Sequence, residues 1–319
     1  MLRYILTRIA LAIPTLFAIS FLVFFAAYLS PADPVDIILG QRAAPESKAR
    51  VRHEWGLDQP PLKRYGTYVV NVVTKGDLGR SYQTKEPVTE FIARGFPNTA
   101  TLAIAALMLA LATGIPLGVT AAIKHNTWID RFAMAFALIG VATPSFVLAP
   151  VLTLILAIRM GLLPVGGFSI QEGIMDPQTF ILPTVVLAAR SSALIARLTR
   201  SAMLDVLSQD FIRTARAKGV KEHVVLYRHA LRNALSAILT VAGTTFGYLL
   251  SGSFVVETFF TIPGIGNQSI TAITARDYPV IQGLAILLAA IFVGVNLFVD
   301  VLQGVVDPRA RVADQKVIQ

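Results

Sequence analysis

The side chains able to do chemistry are few in this sequence, and their spacing argues against catalysis. There is no cysteine, which excludes thiol nucleophiles, thiolate metal sites and disulfides. The four histidines, His53, His125, His223 and His229, form no ligand-spaced cluster, and the last two stand six apart, the wrong interval for one helical face. No serine–histidine or paired-carboxylate arrangement is evident. No Gly-x-x-x-x-Gly-Lys-Ser/Thr loop is present to cradle a nucleotide. Neither a cofactor nor a metal is expected. What the sequence offers instead is charge in particular places. Residues 213–219 read RTARAKG, a cationic, alanine-rich run that ends in glycine. Arg190 interrupts an apolar stretch, and Glu257, Arg276 and Asp277 flank others. The chemistry open to such residues is recognition: gripping a partner surface or a charged solute.

Composition says what kind of element carries these positions. Charged residues make up 15% of the chain and apolar ones 55%, whereas a soluble domain carries about 25% charged residues. An integral membrane protein is the expectation. Six stretches lack Lys, Arg, Asp and Glu over roughly the ~20 residues a helix needs to cross a bilayer. They are Ile9–Ala32, Gly95–Ile123, Phe132–Ile158, Gln178–Ala189 (continued past Arg190 to Ala196), Asn233–Val256 and Tyr278–Val299. Backbone groups cannot go unpaired in lipid, so each reads as a helix. Arg3 and Arg8 precede the first, as in a signal peptide. Its apolar run exceeds the ~7–15 residues of a signal h-region, so it reads as an uncleaved first helix.

Basic residues set the orientation. With the N-terminus cytoplasmic, the inside segments hold Arg3, Arg8, Lys124, Arg131, eight Lys/Arg between Arg197 and Arg232, and Arg309, Arg311 and Lys316. The short outside loops hold Arg159 and Arg276. That asymmetry places both termini in the cytoplasm. Residues 31–97 carry ten Lys/Arg and eight Asp/Glu on the outside, but long loops translocate largely regardless of charge. Trp55, Tyr65, Tyr68 and turn pairs such as Gly76-Asp77 mark this segment as a small folded lobe. The net charge of +9 fits a membrane surface and calls for no nucleic acid.

The largest cytoplasmic segment, residues 197–232, is net +5. Ser208 or Asp210 is placed to cap a helix that begins near Phe211. Arg216 and Lys218 fall in its last turn, where cations suit the helix dipole. Gly219 fits the left-handed position that ends it, and a second helix starts near Lys221. Ala215 and Ala217 keep the short helix thin, so another surface can approach its backbone. Composition alone is equally compatible with a solvated basic loop. Arg190 reads either as an intramembrane functional charge or as a side chain snorkelling to the cytoplasmic face beside Arg197. Glu257, Arg276 and Asp277 belong to the outer mouth, either meeting a docked partner or a passing solute or acting as loop anchors and ion pairs. Pro263–Gly266 reads as a turn.

The run DFIRTARAKGV followed by RHALRNAL resembles the cytoplasmic EAA loop of binding-protein-dependent ABC importer permeases. More narrowly it resembles the dipeptide/oligopeptide/nickel family, in its first permease subunit type. LRYILTRI, SPADP, GDLGRSY, NTATLAIAALMLA, ETFFTIPGIG, RDYPVIQG and NLFVDVLQGVVDPRAR resemble that family in the same order, from end to end. The resemblance implies an all-α polytopic membrane protein with six transmembrane helices and the type I ABC importer permease fold, in the cell (inner) membrane. It divides the chain into an N-terminal transmembrane helix (1–32), an extracytoplasmic lobe (33–93), a five-helix core (94–303) with its coupling loop at 197–232, and a cytoplasmic tail (304–319). Arg213, Thr214, Ala215, Arg216, Ala217, Lys218 and Gly219 then form the coupling helix that sits in a groove of an ATPase. The implied partners are two cytoplasmic ABC ATPase subunits, a second homologous permease chain, an extracytoplasmic solute-binding protein and the lipid bilayer. The implied solute is a peptide or a related small molecule. The wider superfamily's consensus glutamate is replaced here by Arg213, and its downstream Ile-x-Leu-Pro by HALRNAL. Both departures resemble the peptide-type branch, so a partner salt bridge does not carry over from sugar permeases.

Two rival classes make different demands on the sequence. A transporter driven by an ion gradient is expected to carry acids inside its spans for ion coupling, and the six stretches have none. A channel or scaffold subunit has no need of a cytoplasmic helix–glycine–helix.

Overall fold

The computed structural model describes residues 2–29, 33–40, 42–165 and 177–306. Among these the chain is helical, with one isolated bridge between Arg80 and Pro87 and no strand. In chain order the helices are α1 (Leu2–Tyr28), α2 (Pro34–Leu39), α3 (Pro45–Glu54), α4 (Pro61–Lys75), α5 (Val88–Ile123), α6 (Trp128–Ala142) and α7 (Ser145–Leu152). They continue with α8 (Pro177–Leu207), α9 (Asp210–Ala217), α10 (Glu222–Val224), α11 (Arg232–Gly252), α12 (Phe254–Phe259), α13 (Ile265–Ala275) and α14 (Tyr278–Val306). Two π-helical turns, Thr153–Arg159 and Val225–Leu231, extend α7 and α10. The tail read from the sequence, with Arg309, Arg311 and Lys316, lies outside the described residues from 307 onward.

Five helical stretches are long and apolar enough to cross a membrane: Ile9–Tyr28, Val88–Ile123, Pro177–Leu207, Glu222–Gly252 and Tyr278–Val299. The third expected span, Phe132–Ile158, is not one continuous helix. α6 and the helix from Ser145 to Arg159 meet at 105°. Pro144 is the reason: the residue before a proline is driven out of the α region, and Thr143 is extended at φ −83, ψ 116. The fourth span runs unbroken through Arg190, because arginine, leucine and alanine are good helix formers and one charge does not interrupt the backbone ladder.

The chain forms two compact units. One consists of Met1–Ile5, Ala100–Thr261 and Gly294–Gln319. Here α5 and α8 touch backbone to backbone. A Cβ on Gly118 would stand 2.4 Å from the Ala196 carbonyl oxygen, and one on Gly114 would stand 2.7 Å from that of Ser192. Small residues four apart are the usual device for such close packing in lipid, where no hydrophobic force draws helices together. α6 and α11 also pack on α8, making it the central helix of this unit.

The other unit consists of Leu6–Thr99 and Ile262–Val293. Its core gathers Val88, Ile92, Ile265, Ala272, Val280 and Leu284. Asn98 donates to the Pro263 carbonyl at 2.9 Å, and Thr99 Oγ1 accepts the Ile265 N–H at 2.9 Å. The Pro263–Gly266 turn thereby becomes the entry to α13. α4 seats on α1 through Tyr65, whose hydroxyl lies 2.8 Å from Ser20 Oγ and whose ring meets Phe17, Phe21 and Phe24 edge-on. Trp55 stacks on Tyr82 at 4.0 Å under the Lys85 ammonium.

Candidate functional site

The basic run folds as a short helix, α9, with one cap as expected and one not. Neither Ser208 nor Asp210 caps its N-terminus. The N-cap is Gln209, extended and without a side-chain bond. Ser208 Oγ instead donates to the Asp205 carbonyl at 2.8 Å, and Asp210 is the first helical residue, where its charge suits the positive end of the dipole. The C-terminus closes as the sequence indicates. Gly219 adopts φ +74 and its N–H bonds the Arg216 carbonyl at 2.9 Å, while Val220 N–H bonds that of Ala215 at 3.2 Å. This pair of bonds is the Schellman motif, which needs a left-handed residue at the position of Gly219.

Eight residues cannot hold a helix in water by themselves, so packing must fix α9. Ile212 and Ala215, three apart and so on one face, are buried with Met203 and Val206 of α8, Val119 and Ala122 of α5, Val225 and Ala230 beyond α10, and Ala234 and Ile238 of α11. Ala215 therefore faces the protein's own core and does not thin the outward surface. The outward face carries Arg213, Thr214, Arg216, Ala217 and Lys218, with Phe211 40% exposed. The three cations differ in what holds them. Arg216 forks onto Glu222 across the turn, at 2.7 and 3.2 Å. Arg213 reaches Asp210 at 3.4 Å. Lys218 is exposed and has no acidic partner among the described residues.

The end of α8 is clamped beside this helix. Arg200 makes a two-pronged bond to Asp130 at 2.6 and 2.8 Å, and Asp130 is 3% exposed. His125 joins at 3.0 Å from Arg200, and the Asn126 N–H donates to Asp130. Sequence reasoning missed this clamp. Its signal was an acid in the first turn of α6 directly after a polar turn, facing an arginine otherwise assigned to positive-inside statistics.

The remaining charges are dispersed. The Arg190 guanidinium lies 5.4 Å from the centre of the Tyr248 ring, with Nη1 3.3 Å from its hydroxyl. Glu257 is fully buried in α12 and accepts from Ser253 Oγ at 2.7 Å. Asp277 is 4% exposed and organises the turn that follows Gly79. It accepts from Ser81 Oγ, from Tyr82 N–H at 3.0 Å and from Gln83 N–H at 3.4 Å, so GDLGRSY and RDYPVIQG meet here. Arg276 is exposed and ends α13 in the left-handed region at φ 52, an uncommon conformation for a side chain with a Cβ. Among the described residues no three His, Cys, Asp or Glu gather to hold a metal.

Comparison with known proteins places these features in a wider group. Residues 114–312 match the family described as the inner membrane component of binding-protein-dependent transport systems, and residues 1–103 match the N-terminal region of such components. A peptide transport system permease protein of Brucella abortus (strain 2308) is 42% identical over 313 residues, covering 98% of this chain and 99% of the relative. The glutathione transport system permease protein of Salmonella typhimurium is 41% identical over 312 residues, again covering 98% and 99%. Among solved structures, two inward-facing forms of the MetNI methionine ABC transporter align with TM-scores of 0.56 and 0.59 at 18% identity. They cover 69% and 68% of this chain and 97% and 96% of theirs, a likeness of fold.

Proposed function

The chain belongs to the family of inner membrane components of binding-protein-dependent transport systems, as a multi-pass permease subunit and not an enzyme, and on that premise we propose that it imports peptides, with α9 as the handle through which an ATPase drives it. Members of such systems work with ATPase and solute-binding components. The assembly we propose has two permeases, this chain and a homologous second one, with two cytoplasmic ATPase subunits and an extracytoplasmic binding protein. Both termini lie in the cytoplasm. The transport core runs from 94 to 303, with the first helix (1–32) and the lobe (33–93) preceding it and a tail at 304–319.

One observation carries this reading. α9 has an inner face locked against the ends of α5, α8 and α11, and an outer face that presents exposed cations, of which Lys218 has no acidic partner among the described residues. A permease without a nucleotide site must receive work mechanically. A short helix wedged among three span ends transmits a push to all of them, where a solvated loop would absorb it. Arg213, Thr214, Arg216, Ala217 and Lys218 form the contact surface in this proposal, Ala215 anchors it and Gly219 ends it. At the outer mouth, the exposed Arg276 meets the binding protein, while buried Asp277 holds the loop beside it; Glu257, buried in α12, acts as a local anchor.

The test is Gly219→Val. A β-branched residue is strained at φ +74 by about 1–2 kcal/mol, enough to open the Schellman turn and misplace Lys218. The complex is expected to lose co-purifying ATPase subunits or to hydrolyse ATP without uptake. Unchanged uptake and unchanged ATPase recovery in this variant would sink the assignment of α9.

A further inference from the structure

Arg190 stands in the interior of α8, ten residues before Arg200. The Arg200–Asp130–His125 clamp belongs to the turn between two spans and so marks the membrane edge. Ten helical residues rise about 15 Å, half of the ~30 Å hydrocarbon core. Counting from the other end of α8 agrees: Arg190 follows Pro177, where the helix begins, by 13 residues, about 20 Å. From that depth the guanidinium cannot snorkel to the interface. It must face protein or water, since a charge facing lipid there is strongly disfavoured.

Around it lies an open cleft with polar side chains set in a largely apolar wall. Arg190, Ser191, Leu194, Thr244, Thr245 and Tyr248 line a cleft of about 200 Å³. Among the described residues Arg190 has no carboxylate partner, and its hydrogen bond and ring contact are both to Tyr248. Thr245 is 4% exposed and its Oγ1 has no hydrogen-bond partner among the described residues. The Tyr248 hydroxyl accepts from Arg190, leaving its own O–H free to donate. A guanidinium fork and the Tyr248 hydroxyl line one cleft, with the buried, unpartnered Thr245 hydroxyl in its wall, and no carboxylate among the described residues meets them. Thr244 adds no donor, because its hydroxyl bonds the Thr240 and Val241 carbonyls.

We infer that this cleft is a mid-membrane station for an anion, and that its ligand is a free carboxylate of the solute in transit. The guanidinium edge matches a carboxylate in two parallel bonds, and the Tyr248 ring holds the fork in place before the ligand arrives. The carboxylate identity rests on the peptide reading above; the anion site rests on the cleft alone.

The absence of cysteine from the chain makes the test direct. Thr244→Cys places a single thiol of this subunit on the exposed wall of the cleft. The complete transporter in liposomes is treated with 2-sulfonatoethyl methanethiosulfonate, an anion, or with its trimethylammonium-ethyl counterpart, a cation. Each rate is divided by that reagent's rate with free 2-mercaptoethanol. The expected result is a preference for the anion of about tenfold, kept in Arg190→Lys and falling to near unity in Arg190→Gln. A charge-blind reaction, no reaction with either reagent, or a preference that survives Arg190→Gln overturns the inference. The first two are what an acid of a second permease paired with Arg190 would produce. No uptake is measured, so a failure of the transport reading is seen separately from a failure of this one.

Discussion

Lys218 and Arg216 are two positions apart in sequence and differ in what they are free to do. Arg216 is spent on Glu222, a pair with both side chains about half exposed, worth about 0.2–1 kcal/mol at such a surface. Glu222→Gln is therefore expected to leave ATP-driven uptake within about twofold of wild type. Lys218→Glu reverses an uncommitted charge on the proposed contact face and is expected to lower uptake about tenfold, the equivalent of ~1.4 kcal/mol. Equal effects from the two variants would show that charge on this face is not what the partner reads. The sequence made Arg213, Arg216 and Lys218 look alike, because the acid that takes Arg216 lies beyond a turn. Asp277 teaches the same lesson. Its acidic character was legible, but its partners Ser81 to Gln83 lie nearly two hundred residues away. Asp277→Asn removes an acceptor from a buried site at a cost of about 1–3 kcal/mol, and faster proteolytic cleavage within residues 76–87 is the expected sign. Unaltered cleavage would contradict the anchor role.

At the scale of elements, α9 is only as stiff as its buried face. Ile212 is fully buried, and Ile212→Ala should cost about 2–5 kcal/mol through lost contacts and a cavity. The expected phenotype is uncoupling: ATP hydrolysis continues while uptake per ATP falls. Hydrolysis and uptake falling in proportion would argue that α9 serves assembly alone. The α5–α8 contact makes a harsher prediction. A side chain at Gly118 meets the Ala196 carbonyl, so Gly118→Val is expected to cut recovery of intact protein from membranes severely. Normal recovery and normal melting would show that the two helices need no such approach. The C-terminal signals made α9 legible down to its terminating glycine, whereas its N-cap, Gln209, was not the residue the sequence suggested. The 105° break at Pro144 was not legible, because prolines occur in straight spans wherever neighbours satisfy the freed carbonyl.

For the molecule as a whole, composition and the bias of Lys and Arg pointed to a multi-pass membrane protein, since both follow from the bilayer as solvent. The division into units did not emerge, because one unit joins Leu6–Thr99 to Ile262–Val293, and no local pattern records which distant segments meet. Nor did the polar cleft at Arg190, which depends on Tyr248 and Thr245 from another helix. The central claim is that this permease moves its solute with work from ATP delivered through partner subunits. The most direct measurement is uptake into liposomes holding both permeases and both ATPase subunits, with the binding protein outside carrying a labelled peptide it retains. The account predicts uptake with ATP supplied to the ATPase side, and none when ATP is withheld and a proton or sodium gradient is imposed instead. Uptake driven by the gradient without ATP would contradict it.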